Sequence, residues 1–266
     1  MTVPRFLQSS FYFSEDPGID DTADIITNLT ALLVAQTPAW TNPSAGVLKS
    51  PVDSAGRFMT ITLTSLSATR LQMQVQDQNG ITVSLRTFDL IAGPLPTKIN
   101  YFSGQYHLYI ECLNLGAGNG EWLAAMMVDP TDHDLVDLQN YVIGGGTRNS
   151  GGAVDGQGVA CDQWFMLESG ASTLRQRARQ VCAAVSLNAG LMDFAGVPQF
   201  FPFDVVGVPN GSNQWMGAMY QAYVTDSRVA AGIIKPVAID NATPAEFRTT
   251  IAPASGQGLR LALRVG

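Results

Sequence analysis

Lysine is almost missing from this chain of 266 residues, which has only Lys49, Lys98 and Lys235, and glutamate is scarce at five residues. Charged residues make up 14% of the chain, well below the ~25% of an average globular protein. Acids outnumber bases 22 to 15, giving a net charge of −7. A chain so poor in clustered Lys and Arg lacks the means to neutralise a row of phosphates, so direct nucleic-acid binding is not expected. Histidine is limited to His107 and His133. Nucleophilic catalysis needs a base within reach of Ser, Cys or Thr, and no G-x-S-x-G, S-x-x-K or H-E-x-x-H pattern accompanies these two. No enzymatic activity is expected. The three cysteines, Cys112, Cys161 and Cys182, are far apart, odd in number and without C-x-x-C spacing. They read as small buried residues of a reducing compartment, not as a disulfide framework or zinc site. No segment approaches the ~20 apolar residues that cross a bilayer, and the first residues lack the basic and apolar regions of a signal peptide. A chain made in the cytoplasm, neither secreted nor held in a membrane, is the expectation.

What is present is apolar and rich in turns. Hydrophobic residues reach 46%, with 26 Gly and 14 Pro, enough to fill one large or two modest domains. Seventeen of the 22 acids are Asp, a residue of turns and helix caps, whereas Glu favours helix interiors. Many loops and few helices follow.

Along the chain, Asp20 to Gln36 carries Ile25, Ile26, Leu29, Leu32 and Leu33 at helical spacing, with Asp20, Asp21 and Asp24 at the positive end of the dipole. This predicts a helix that Pro38 stops and Trp40 anchors. From Phe58 the period becomes two. Met59, Ile61 and Leu63 alternate with threonines, Leu71, Met73 and Val75 with Arg and Gln, and the turn Asp77–Gly80 leads into Ile81, Val83 and Leu85. These predict a three-stranded antiparallel meander. Tyr106, Leu108 and Ile110 alternate with Gln105, His107 and Tyr109 in a strand that should pair with Glu121–Val128. The expected fold is therefore mainly β, with one helix on an antiparallel sheet in an N-terminal α+β unit and a β-rich C-terminal domain.

The Gly- and Ser-rich run from Gly144 to Gly152 has the composition of a flexible connection. It divides the chain into residues 1–145, a connection at 146–155, and residues 156–266; a long loop inside one domain is the other possibility. Beyond it, strands are expected at Gln163–Leu167, Gln180–Leu187, Trp215–Val224, Ile233–Ile239 and Leu259–Val265. Residues 175–185 also suit a helix by composition, since Arg, Gln and Ala are good helix formers.

Candidate chemistry is thin. Asp129 to Asn140 suits a short helix, and Asp132, Asp134 and Asp137 offer the hard oxygens that Ca²⁺ prefers. The loop lacks the Gly and terminal Glu of an EF-hand, and acids at a helix start also serve capping. Calcium there stays open, and no metal or cofactor is expected. His107 lies on the polar phase of its strand, where cross-strand bonding or packing is the expected role. The aromatic runs Phe11, Tyr12, Phe13 and Phe200, Phe201, Phe203, with the basic cluster Arg175, Arg177 and Arg179, are the candidate interface residues, because aromatics and Arg dominate subunit contacts. Covering their own domain's core is the alternative.

The N-terminal run Val3-Pro-Arg-Phe-Leu with Phe11 to Asp24, the stretch Gly104–Glu111, and the closing Gly258-Leu-Arg-Leu-Ala-Leu-Arg-Val-Gly together resemble the mid-sized virion structural proteins of tailed bacteriophages. The resemblance is one of style over the full length and carries no shared active site. It implies a virion component of tail, baseplate or neck, with capsid decoration as a variant. Its partners would be other virion structural proteins and further copies of itself, with extended termini reaching neighbouring subunits. A carbohydrate-binding or carbohydrate-cleaving module is the alternative, in which Trp122, Trp164 and Trp215 stack on sugar rings beside a pair of Asp residues.

Overall fold

A computed structural model of the chain describes residues 7–13, 19–54, 56–90, 97–114, 119–129, 142–147, 163–165, 200–207, 214–226, 229–230, 232–237, 245–255 and 259–265. The chain is mainly β, as its composition predicts, with one helix among the described residues.

The helix α1 (Thr22–Ala35) begins where Asp21 caps it. The Asp21 carboxylate accepts from the backbone N–H groups of Ala23 (2.8 Å) and Asp24 (3.0 Å), and Asp24 returns the bond to Asp21 N–H at 3.2 Å. This reciprocal capping box satisfies donors the helix cannot satisfy itself. Thr22 ties the same end to the sheet below: its hydroxyl donates to the Ser67 carbonyl at 2.6 Å. At the other end Trp40 Nε1 donates to the Gly104 carbonyl at 3.0 Å. Gln36 Nε2 donates to the same oxygen at 3.2 Å. Ile25, Leu29 and Leu33, spaced four apart on one face, are buried.

The smaller sheet has five strands in chain order: β2 (Thr41–Ser44), β3 (Val47–Lys49), β4 (Thr60–Ser67), β5 (Arg70–Gln76) and β6 (Thr82–Asp89). The predicted meander is β4–β5–β6, with Leu71, Met73 and Val75 buried in strict alternation. Its second turn closes as the residues dictate. Asp77 Oδ1 accepts from Asn79 and Ile81 N–H, both at 2.9 Å, and Gly80 takes φ of +75°, a conformation that L side chains rarely adopt.

The larger sheet has eleven strands among the described residues, eight of them in the path β1 (Leu7–Phe13), β7 (Thr97–Gly104), β8 (His107–Asn114), β9 (Asn119–Asp129), β13 (Gln214–Asp226), β16 (Leu259–Arg264), β15 (Ala245–Ser255) and β14 (Ile234–Val237). The others are β10 (Val142–Thr147), which pairs with β9, β11 (Gln163–Phe165), which pairs with β10, and β12 (Phe201–Gly207), which pairs with β13. Every pairing is antiparallel. One face of β7–β9, through Ile99, Ile110, Leu123 and Met127, shares a single core with α1 and the smaller sheet.

β9 is buried on both faces from Glu121 to Val128. This explains why Trp122-Leu-Ala-Ala-Met-Met-Val128 reads as a continuous apolar run and not as an alternation. One edge of β9 pairs with β8. The other is divided: Trp122–Met127 pairs with β10, and Val128 and Asp129 pair with Met219 and Ala218 of β13. Strands from both sides of the expected boundary thus join in one sheet.

Gly144, Gly145 and Gly146, expected in or beside a flexible connection, instead form the buried strand β10. The reason is steric. A Cβ on Gly144 would stand 2.4 Å from Ser84 Cβ of β6, so only glycine lets β10 lie this close to the smaller sheet. Residues 148–162, which hold most of the expected connection, and the strand expected at Gln180–Leu187 lie outside the described residues.

Gly144→Ala should destabilise the fold by about 1–3 kcal/mol, the usual cost of overpacking. Urea denaturation checks this, and an unchanged midpoint would show that β10 can retreat from β6 without loss.

Candidate functional site

The second face of β7–β9 carries the polar residues that sequence patterning left unassigned. Antiparallel register places Asn100, Glu111 and Trp122 in one row and Phe102, Tyr109 and Ala124 in the next. Glu111 is fully buried. Asn100 Nδ2 donates to its Oε1 at 2.9 Å and the Tyr109 hydroxyl to its Oε2 at 3.1 Å. A buried carboxylate is costly unless so bonded. Oε1 therefore ties β7 to β8, while Oε2 is held within β8. Tyr109 stacks on Trp122 at 6.1 Å and meets Phe102 at 5.8 Å. From the far end of the same sheet, β15 reaches across this face, with Arg248 Cζ 5.2 Å from the Phe102 ring centre. The sheet therefore curls until its seventh strand approaches its second.

His107 sits where that curl turns. Read from the sequence as a polar-phase residue with a cross-strand bonding or packing role, it is buried, because β13 lies over it and the Tyr220 backbone carbonyl accepts its Nε2–H. Burial pushes its pKa down from 6.5 to about 4, against the smaller opposing effect of the Tyr220 hydrogen bond. It is neutral at pH 7, which suits a donor to a carbonyl.

β13 is irregular at this contact. Its pairing with β12 jumps from Pro202↔Tyr223 to Asp204↔Ala218, so extra residues of β13 bow out between them. Within the bow Gln221 takes φ of +55°, a left-handed conformation disfavoured for a residue with a Cβ. There β13 leaves β9, which it pairs through Ala218 and Met219, and takes up β16 from Ala222 onward.

A second charged group is also held inside the chain. Asp53 and Arg57 form a buried ion pair, with Arg57 Nε donating to Asp53 Oδ2 at 2.6 Å and Arg57 N–H to Asp53 Oδ1 at 2.8 Å. They close the loop between β3 and β4. Among the described residues no three His, Cys, Asp or Glu side chains converge as a metal site.

The candidate residues from the sequence fall into separate places. Phe11, Tyr12 and Phe13, expected in an arm reaching a neighbour, lie in β1, whose backbone pairs along β7 of the same chain through Phe11↔Ile99, Tyr12↔Lys98 and Phe13↔Thr97. Phe203 is buried, and Phe200 stacks on Phe247 at 4.9 Å, so both pack within the chain; Phe201 pairs with Val224. Arg175, Arg177 and Arg179 lie outside the described residues, as do Asp132, His133, Asp134 and Asp137. Trp122 is fully buried and offers no platform for a sugar ring, while Trp164 and Trp215 occupy strand positions opposite Gly145 and Val206. Of the three cysteines Cys112 is described, and it is buried.

Patterning missed Glu111 and Arg248. Glu111 lies in phase with His107 and Tyr109, so the polar phase of the strand was visible, but not the strand that covers it.

His107 makes stability depend on pH in a definite direction. Its folded pKa lies below its unfolded value, so between about pH 4 and 6.5 the unfolded chain binds more protons. Stability contributed by neutral His107 is therefore complete above pH 6.5 and lost as pH falls towards 4, by up to about 3 kcal/mol. Denaturation midpoints at pH 4.5, 5.5 and 7 should show this slope in the wild type and a flatter one in His107→Gln; equal slopes would refute the assignment. Comparison of the chain with protein-family models, with curated proteins and with solved structures finds no match.

Proposed function

We propose that this protein is a structural component of a tailed-phage virion, in the tail, baseplate or neck, and that it works through contacts between subunits. The observation that carries this is how its interior polar groups are used. Glu111, His107 and the Asp53–Arg57 pair each bind the chain's own backbone or neighbouring side chains, tying strand to strand and closing loops. Such a build supports mechanical integrity in an assembled particle. The low charge content supports the same role, since uncharged surface is suited to burial against other subunits.

Light scattering on the purified chain should show self-association, and mass spectrometry of purified virions should find its peptides at a structural copy number. A strict monomer that also fails to enter virions or tail assemblies would overturn the proposal.

A further inference from the structure

The end of the large sheet at β14 and β15 carries a cation that approaches the Phe102 ring but has no counter-ion among the described residues. Arg248 is 8% exposed, its Nε is buried without a hydrogen bond, and no ion pair to it forms among the described residues. A guanidinium stays charged at any physiological pH, and a desolvated charge without a counter-ion is unfavourable. Its tip is nevertheless reachable. Nη2 lies 3.8 Å from where a Cβ on Gly232 would stand, and Gly232 is exposed.

The surroundings have the makings of an interface. Ile234 stands directly opposite Arg248 in the β14–β15 ladder, and Ile233 and Ile234 are 38% and 46% exposed. Two residues before Arg248, and on the same face, Glu246 is exposed opposite Pro236. Apolar side chains around an Arg are a composition that buried contacts favour. Pro236 has no N–H, so a partner cannot simply extend the ladder past β14. Contact must run through side chains.

We propose that this β14–β15 end docks a second copy of the same chain across a two-fold axis, with Arg248 of each copy meeting Glu246 of the other and Ile233 and Ile234 packed between them. A patch that holds both signs two residues apart is self-complementary under a two-fold rotation, where a contact of one residue with another occurs twice. The proposal rests on the subunit-contact role above and names the surface and partner for it.

The test is light scattering across a concentration series to about 100 µM, a range that detects micromolar association. Wild type should associate. Glu246→Arg, at an exposed position, should weaken association about tenfold or more by setting like charges together, with an unchanged circular dichroism spectrum. Arg248→Glu should do the same, and an equimolar mixture of these two variants should recover association that neither shows alone. Should Arg248→Glu fail to fold, Ile234→Asp supplies the second disruption. A monomeric wild type, or association that survives both Glu246→Arg and Ile234→Asp, would overturn this surface. Presence of the chain in purified particles is scored separately and decides the virion role, so the two proposals can fail independently.

Discussion

β9 is the strand to which every layer is referred. It is buried on both faces from Glu121 to Val128, and it is paired along one edge by β8 and along the other by β10 and then β13. A strand in that position cannot move without exposing apolar surface on two sides at once. The smaller sheet and α1 press on one of its faces through the shared core, and the curled end of the large sheet crosses the other. The division of its second edge is what allows one sheet to feed two directions: β10 turns toward the smaller sheet, while β13 carries the ladder on to β16, β15 and β14.

Polar chemistry inside the molecule follows from that arrangement. A sheet with one solvated face places Asn, Glu, His and Tyr there at little cost, whereas here the same face is covered, so each group has to be bonded where it stands. Asn100 Nδ2 from β7 and the Tyr109 hydroxyl from β8 both donate to Glu111, and His107 finds its acceptor in the strand laid over it. The strained Gln221 lies beside that acceptor, at the point where β13 exchanges neighbours. The irregular backbone is thus located at the one place where the topology has to change.

Much of the N-terminal half was legible from local pattern. The 3.6 period of Ile25, Leu29 and Leu33, the acids before them, and the period of two through Leu71, Met73 and Val75 are properties of short segments, and the helix and meander lie where those periods put them. What was not legible depends on distant partners. Gly144–Gly146 has the composition of a linker, and only the closeness of Ser84 makes its glycines a packing requirement. His107 and Glu111 share a phase that signals solvent until β13 and β15 cover it. The aromatic run Phe11–Phe13 marks a strand without revealing that β7 is its neighbour. At the sheet's end, Glu246 and Arg248 are two charges in a short segment, and only the pairing with β14 brings them beside exposed isoleucines.

The shared edge of β9 also orders events in time. Its pairings with β8 and β10 join segments close in sequence, whereas Val128 and Asp129 must wait for Met219 and Ala218, which lie some ninety positions further along the chain. Contacts of such long separation form late, because the entropy of closing the intervening loop has to be overcome first. As the chain emerges from the ribosome, the end of β9 therefore stays an unpaired strand edge after its neighbours have zipped up. An edge of that kind templates pairing with other molecules, so the interval before β13 arrives is when nascent chains at high local concentration are most prone to join wrongly.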